Sequence, residues 1–433
     1  MLQVCWKNTI SPVPYPRFVL VQNVESLPLQ VGHQGCSVYG NGWCYFHFVP
    51  HMEAFRKPPQ RSKEINYVAC ISPASEAVST KGTLQEPTPT QKAVFEQLAS
   101  SQDSANHQRG PRFVPARSIP VPSTVSPLLQ SAIAAPYRVP AWNADPVDVA
   151  GWKALVHNLG AQTATATREL EKHLNSTRED VVINGVKAFL LTPPVVSPES
   201  KNRLLIHAHG GGYIYNPGEA GVMESVSMAA YSGIKILSVD YRMPPDHPFP
   251  AGLDDCMKVW KATAEANDPK KLGLFGSSAG AGMALAMILR VKDEGLPLPA
   301  ALAIGTPWDD LTETGDTFKT NEWLDNVIVS YNGYLNRAAS LYANGRDLKD
   351  PYISPIYGDF NHFPPTVLAS GTRDLLLSLT VLTHRKLRRA NVDAELHVFE
   401  GMSHISYVLN PLAPESRELF TEWVKFFDKH LDR

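Results

Sequence analysis

Residues 272–280 read Leu-Gly-Leu-Phe-Gly-Ser-Ser-Ala-Gly and decide the predicted fold. Residues 272–275 form a short apolar run, which is typical of a strand buried on both faces. Gly276-Ser277-Ser278-Ala279-Gly280 fits the G-x-S-x-G pattern of a sharp strand-to-helix turn, whose middle serine points out of the sheet. The pattern also arises by chance, so its weight comes from its position after a strand. The stretch predicts Ser278 as an exposed nucleophile.

Strand and helix patterns alternate on both sides of this stretch, from about residue 145 to the C-terminus. Such alternation predicts an α/β fold with a mostly parallel sheet and helices on both faces. The predicted strands cover residues 180–191, 203–208, 234–239, 272–275, 300–305, 366–370 and 394–399. The predicted helices cover residues 146–174, 253–266, 279–293, 376–390 and 415–430.

A glycine-rich segment, His209-Gly210-Gly211-Gly212, follows the predicted strand at residues 203–208. Three glycines leave backbone N–H groups unshielded, so these groups can bind an oxygen that gains negative charge in a tetrahedral intermediate. No Lys-Ser or Lys-Thr follows, which excludes a phosphate-binding P-loop. We therefore predict an oxyanion hole formed by the N–H groups of Gly211, Gly212 and Ala279.

A serine nucleophile needs an imidazole base, which a carboxylate in turn orients. Asp374 follows the predicted strand at residues 366–370, and His404 follows the one at residues 394–399. The chain order Ser278, Asp374, His404 is that of the α/β-hydrolase fold. Less favoured alternatives are Glu400, which lies in the same loop as His404, and three residues that follow no sheet strand directly, Asp350, His362 and His384.

Residues 145–433 resemble the hormone-sensitive-lipase-like group of α/β-hydrolase esterases. The resemblance implies a carboxylic-ester hydrolase with no cofactor, a helical cap over the pocket and often a homodimer. It assigns Ser278, Asp374 and His404 to the triad by position. Many relatives carry an acidic residue or Thr where this chain has Ser277. The matching segments are His209-Gly210-Gly211-Gly212, Asp240-Tyr241-Arg242, Pro245-Asp246-His247-Pro248-Phe249-Pro250-Ala251, Gly276-Ser277-Ser278-Ala279-Gly280 and Pro307-Trp308-Asp309-Asp310-Leu311.

Several side chains next to these loops are predicted to contact the substrate, namely Tyr213, Ser277, Trp308 and Met402, although core packing is nearly as favourable for such residues. A helical region at residues 321–346 is expected to cover the site together with the helix at residues 146–174. We predict a serine carboxylic-ester hydrolase that forms an acyl-enzyme on small to medium acyl esters. The alternatives are a lactone or amide hydrolase with the same triad, and a non-catalytic receptor for a small ligand.

Composition narrows the partners and the compartment. The chain has 433 residues, a formal net charge of −2 and no extended basic block, which argues against nucleic acid as the main partner. The longest tempting apolar run, residues 119–137, contains four prolines and predicts no membrane span. Five cysteines and an N-terminus without an apolar signal core lead us to expect a cytoplasmic protein.

The first third of the chain differs from the rest, since 18 of the 36 prolines lie in residues 1–146. We expect a poorly structured N-terminal extension at residues 1–87, a connector with cap helices at 88–179 and the catalytic core at 180–433. Within the connector, residues 88–101 are predicted to be helical and residues 104–144 to form a loop. Part of the extension is hypothesised to derive from an upstream start codon. No metal site is predicted, because the Cys and His spacing within residues 33–51 matches no common zinc site.

Overall fold

The computed structural model describes residues 20–22, 37–39, 43–45, 89–90, 92–94, 116–138, 142–196 and 198–432. The chain divides into two compact units, Met1–Pro111 and Arg112–Arg433. In the first unit, β1 (Leu20–Gln22), β2 (Ser37–Tyr39) and β3 (Trp43–Tyr45) form an antiparallel sheet with β3 in the middle. The predicted poor structure of residues 1–87 stays a prediction, because most of them lie outside the described residues.

The second unit is built on an eight-stranded sheet with the order β11-β10-β9-β8-β6-β7-β5-β4. Strands β6 to β11 are parallel, while β4 and β5 pair antiparallel at one edge. This sheet confirms the predicted α/β-hydrolase fold class. The strands are β4 (Thr177–Ile183), β5 (Val186–Thr192), β6 (Leu204–Ala208), β7 (Lys235–Val239), β8 (Leu272–Ser277), β9 (Ala301–Gly305), β10 (Thr366–Gly371) and β11 (Ala394–Phe399).

Helices cover both faces of this sheet, as the alternation of side chains along the strands requires. On β6, Leu205 faces one hydrophobic cluster and Ile206 faces the other. The helices are α1 (Pro127–Ala134), α2 (Val149–Leu174), α3 (Met223–Ser232), α4 (Ala251–Ala266), α5 (Ala279–Asp293), α6 (Thr317–Thr320), α7 (Tyr334–Ala343), α8 (Leu377–Arg389), α9 (Ser406–Leu409) and α10 (Pro414–His430).

Helix α1 corrects the expectation of a continuous loop at residues 104–144. Its start is favourable, because the Ser126 side chain accepts from the Leu129 N–H and Pro127 occupies the first turn. Leu129 and Ile133, one helical turn apart, are both buried. The loop prediction treats the prolines of this stretch as helix breakers, whereas Pro127 starts a helix. The residues at 89–90 and 92–94 are helical, within the predicted helix at 88–101.

Helix α3 is absent from the sequence-based prediction. Six of its residues, including Glu224 and Ser225, are buried, so the helix lacks the polar face that makes an amphipathic period visible. It ends at Gly233, whose left-handed backbone (φ 64°) caps the helix by donating to the Ala229 carbonyl. This helix brings a carboxylate beneath the strand ends where the candidate site lies.

Candidate active site

The turn between β8 and α5 holds Ser278 in a strained conformation. Its backbone angles are φ 58° and ψ −125°, outside the regions that non-glycine residues normally occupy. The Ser278 N–H donates to the Gly305 carbonyl over 2.9 Å, which ties the turn to the end of β9. The side chain therefore points away from the sheet at its carboxyl edge, where ligands bind in such folds.

Ser278, His404 and Asp374 form a continuous hydrogen-bonded series. The Ser278 Oγ lies 2.8 Å from His404 Nε2, and His404 Nδ1 lies 3.0 Å from Asp374 Oδ1. All three residues are buried, with exposed fractions of 6%, 1% and 0%. A serine, a base and an orienting carboxylate at these distances have the geometry for nucleophilic catalysis.

Other contacts fix the Asp374 carboxylate. Its Oδ2 accepts from the Ser370 hydroxyl over 2.6 Å, and its Oδ1 accepts from the Leu376 N–H over 2.9 Å. The alternative acid Glu400 is exposed and does not line the cavity that holds Ser278. The structure thus brings Asp374, and not Glu400, to the imidazole.

The glycine-rich loop after β6 turns back beside Ser278. Gly211 and Gly212 have φ of 123° and 62°, and a Cβ on Gly211 would lie 2.6 Å from the Tyr215 carbonyl oxygen. Only glycine fits this path. The preceding His209 stacks on Tyr241 at 4.3 Å, and burial lowers its pKa to about 4, so the ring stays neutral. The residues predicted for the oxyanion hole lie in this loop and, for Ala279, at the start of α5.

The cavity at Ser278 has a volume of about 100 Å³. Two segments predicted to cover the site contribute to its wall, α2 and residues 327–334. The described lining residues are Arg138, Leu159, Thr163, Gly210, Gly211, Tyr215, Asn216, Ala220, Gly221, Met223, Glu224, Ser277, Ser278, Val327, Ile328, Tyr334, His404, Ile405, Val408 and Leu409. Most are apolar or glycine, as expected for a pocket that binds a small organic molecule.

Of the four residues predicted to contact substrate, only Ser277 lines this cavity. Tyr213 is 2% exposed, stacks on Tyr342 at 4.0 Å and donates its hydroxyl to the Trp308 carbonyl. Trp308 and Met402 are fully or almost fully buried among apolar side chains. These three pack in the core behind the catalytic loops, because large side chains next to a buried turn gain more from packing than from facing a small cavity.

A buried carboxylate lies directly beneath the nucleophile. The Ser277 hydroxyl donates to Glu224 Oε1 over 2.5 Å and also contacts the Tyr407 hydroxyl. Glu224 Oε2 lies 3.1 Å from His207 Nε2, whose other ring nitrogen contacts the Ser225 hydroxyl at 2.7 Å. Glu224 therefore supplies, from α3, an acidic group next to the position where many relatives carry one in the nucleophile motif.

A second buried carboxylate, Asp325, joins the acid and base loops. Its Oδ2 accepts from the backbone N–H of Leu375 over 2.9 Å and from that of His404 over 3.1 Å. Its Oδ1 accepts from the N–H groups of Val327 and Ile328. Burial and the nearby Asp374 carboxylate raise the pKa of Asp325 to about 6. One side chain thus holds the residue after Asp374 and the residue His404 itself.

Sequence reasoning missed both Glu224 and Asp325. Asp325 lies in a segment predicted to be helical, where a single acidic residue indicates no more than a solvent-exposed position. Glu224 lies in the helix that was not predicted. The signal for Glu224 is indirect, since the absence of an acid at Ser277 invites a search for a replacement elsewhere.

The described residues include neither a metal-binding cluster nor a membrane-spanning helix. They contain no group of three or more His, Cys, Asp or Glu side chains that could hold a metal ion. Except for the backbone of Cys44, the Cys and His residues within 33–51 lie outside the described residues. No helix in the described part of the chain has the length and hydropathy to cross a bilayer.

Known proteins share this fold and much of this sequence. Residues 205–408 match the model of a family described by the α/β-hydrolase fold. An acetyl-hydrolase of Streptomyces hygroscopicus is 30% identical over 216 residues, covering 50% of this chain and 72% of the relative. The crystal structure of esterase E25 is 40% identical, covers 74% of this chain and 99% of its own, and superposes with a TM-score of 0.72.

A bacterial esterase of the hormone-sensitive lipase family is 28% identical and covers 65% of this chain and 98% of its own, with a TM-score of 0.56. The fold and the arrangement around Ser278 are those of an α/β hydrolase. The chain belongs to the hormone-sensitive-lipase-like family of these enzymes.

Proposed function

We propose that the chain hydrolyses carboxylic esters with small to medium acyl groups through an acyl-enzyme on Ser278. The observation that carries the proposal is the series Ser278 Oγ, His404 and Asp374, with distances of 2.8 and 3.0 Å, at the wall of a cavity of about 100 Å³. The names of relatives, an acetyl-hydrolase and esterases, support the same chemistry.

Each residue has one role in this proposal. Ser278 attacks the ester carbonyl while His404 takes its proton and passes it to the leaving alcohol. Asp374 holds the imidazole in the productive tautomer. The N–H groups of Gly211, Gly212 and Ala279 bind the oxyanion in both halves of the reaction, and Ala279 adds the favourable end of the α5 dipole. Water activated by His404 then releases the acid. No cofactor takes part.

The test is an assay with p-nitrophenyl butyrate on the wild type and on Ser278→Ala, together with labelling by a fluorophosphonate and intact mass measurement. We expect one label on the wild type and none on the variant, and a loss of kcat of about 10⁴-fold or more. Ser340→Ala is the matched control, since Ser340 is exposed on α7 and lines neither the cavity nor the triad. A folded wild type that is neither active nor labelled would favour the receptor alternative.

The domain division, the compartment and the assembly also belong to the proposal. We place an extension at residues 1–87, a connector with cap helices at 88–179 and the catalytic core at 180–433. The odd number of cysteines supports a cytoplasmic protein, and the family resemblance supports a homodimer. Cell fractionation and light scattering on the purified chain test the last two parts. A secreted protein or a monodisperse monomer would contradict them.

A further inference from the structure

A second cavity adjoins the catalytic cavity and shares two side chains with it. We call it the distal groove and define it by Leu128, Ala166, Leu170, Met223, Leu409 and Leu412. Its volume is about 780 Å³, against about 100 Å³ for the cavity at Ser278. Met223 and Leu409 line both. These two side chains therefore lie between the two spaces.

One face of α2 runs through both cavities. Leu159 and Thr163 line the catalytic cavity, while Ala166 and Leu170 line the distal groove. The spacing of four, three and four residues places these side chains on one side of the helix. At 1.5 Å per residue, the stripe from Leu159 to Leu170 extends about 16 Å. The helix thus forms a continuous wall leading away from Ser278.

The segment after the catalytic histidine forms the opposite wall. Ile405 and Val408 line the catalytic cavity, Leu409 lines both and Leu412 lines the groove. Leu128 and Leu412 keep exposed fractions of 55% and 50%. The charged pair Glu169 and Lys172 also borders the groove, but their side chains are 66% and 72% exposed and turn toward solvent. Within the part of the chain that the structure describes, an apolar surface is therefore left uncovered near the reaction centre.

We propose that the distal groove binds the alkyl chain of a long-chain ester whose carbonyl is held at Ser278, with the chain passing between Met223 and Leu409. This inference rests on the proposed ester hydrolysis and names a further substrate class for the same site. The catalytic cavity is too small for a long chain, and each methylene removed from water strengthens binding by about fourfold. The occupant is an alkyl chain, carried on either the acyl or the alcohol side of the ester.

The experiment fills the groove and measures chain-length preference. In Ala166→Trp, a large side chain replaces an exposed methyl group on the groove wall. We expect the ratio of kcat/KM for p-nitrophenyl octanoate to that for the acetate to fall about tenfold, the equivalent of losing the burial of about two methylene groups. Ala161→Trp is the matched control, because Ala161 is exposed on α2 and lines neither cavity. Its ratio should equal that of the wild type.

A second variant, Leu412→Trp, narrows the groove from the opposite wall and decides the question if Ala166→Trp does not fold. Parallel assays with ethyl and decyl acetate show whether the chain enters on the alcohol side, and a selective loss in either series supports the groove. An unchanged ratio in the folded variants would overturn it. So would a wild type that cleaves the acetates of small alcohols but neither octanoate nor decyl esters. A wild type that cleaves no ester at all would instead overturn the proposed function.

Discussion

The nucleophile half and the acid–base half of the active site are held by different kinds of contact. On the nucleophile side, the turn at Ser278 and the loop at Gly210 are fixed by close approach of backbone to backbone at the ends of β6 and β8. On the acid–base side, the loops that carry Asp374 and His404 are tied together by the Asp325 carboxylate. The nucleophile half depends on the absence of side chains. In the acid–base half, the two loops bond directly to each other through the Gly401 N–H and the Thr372 hydroxyl, and the Asp325 side chain adds hydrogen bonds from outside both loops.

This difference determines how each half should respond to substitution. A contact between backbones cannot relax without moving a strand, so a change there affects the stability of the whole sheet. A hydrogen bond donated to one carboxylate can be lost while the sheet persists, so a change there affects the placement of the catalytic groups. Substitutions on the two sides therefore separate effects on folding from effects on rate.

The largest effect is expected at Gly280 on the nucleophile side. A Cβ at this position would overlap the Ala208 carbonyl oxygen and lie 2.7 Å from His209 backbone atoms. Gly280→Ala should lower the free energy of unfolding by at least about 3 kcal/mol. The measurement is the urea unfolding midpoint followed by fluorescence.

Gly160→Ala is the control for this substitution. Gly160 lies inside α2, where an added Cβ would meet only Pro217 atoms at 3.7 and 3.9 Å. Alanine should therefore stabilise the chain by about 0.5–1 kcal/mol through its better helix propensity. If the two variants unfold at the same urea concentration, steric exclusion at the nucleophile turn is not what fixes this half.

On the acid–base side, Asp325→Ala should act on rate. It leaves the N–H groups of Leu375 and His404 without their acceptor, and those of Val327 and Ile328 as well, so the positions of these backbone segments are less firmly fixed. We expect kcat to fall about 10²-fold, because the imidazole is misplaced. KM should also change, because Val327 and Ile328 lose the same acceptor and line the cavity. The rate of fluorophosphonate labelling at Ser278 should fall by a similar factor.

Asp347→Ala serves as the control for the loss of a carboxylate. Asp347 is exposed, and its carboxylate accepts from the nearby Lys349 N–H. Its kcat should stay within about twofold of the wild type. A normal labelling rate in folded Asp325→Ala would show that the carboxylate does not position the acid and base.

The nucleophile half could be predicted from the sequence because its backbone geometry requires glycine at particular positions. Gly211 is required by its backbone conformation, and Gly276 and Gly280 by their close approach to the Ala208 carbonyl oxygen, so all three appear in short motifs next to predicted strands. Asp374 and His404 could be placed because each directly follows a strand, and the observed strands β10 and β11 end where the prediction put them, within one residue.

Asp325 and Glu224 could not be predicted, for the same physical reason. Each acts across a large sequence separation, 79 residues from Asp325 to His404 and 53 from Glu224 to Ser277. Neither lies in a local pattern that requires a carboxylate. The sequence also could not decide between core packing and substrate contact for Tyr213 and Trp308. It places them beside the catalytic loops without showing the direction of their side chains.

The pKa of Asp325 gives the acid–base half a pH signature in stability. Burial and the Asp374 charge raise this pKa to about 6, with the imidazole of His404 opposing the rise. Between about pH 4 and 6 the folded chain keeps a proton that the unfolded chain releases near its ordinary value of about 3.9. The stabilisation by neutral Asp325 is thus complete below about pH 4 and lost as the pH rises through 6.

Asp325→Ala should remove this pH-dependent contribution to stability. Between about pH 4 and 6, the free energy of unfolding of the wild type should therefore fall by up to about 1.4 kcal/mol per pH unit more than that of the variant. The measurement is the urea midpoint at a series of pH values. Asp309→Asn offers a comparison, because burial raises the pKa of Asp309 to about 7. The pH range over which Asp309 affects stability therefore extends to a higher pH than that of Asp325. Parallel stability curves for the wild type and Asp325→Ala would contradict the raised pKa.

The smallest expected effect concerns Glu224, the buried acid that contacts Ser277. It tests whether a carboxylate at position 277 can replace the one at position 224. Ser277→Asp would place a carboxylate against Glu224, whose Oε1 lies 2.5 Å from the Ser277 hydroxyl. Two buried carboxylates in contact repel each other, and removing both charges from water costs free energy. We expect kcat to fall about tenfold below that of Ser277→Ala.

The double variant Ser277→Asp with Glu224→Gln keeps one negative charge but carries it on the nucleophile motif, as many relatives do. It should recover the tenfold loss, which corresponds to a coupling free energy of about 1.4 kcal/mol between the two positions plus whatever Glu224→Gln costs alone. Glu224→Gln alone sets the reference for losing the acid. Additive losses in the three variants would mean that Glu224 and residue 277 act independently, and that the nucleophile half depends on its backbone contacts alone.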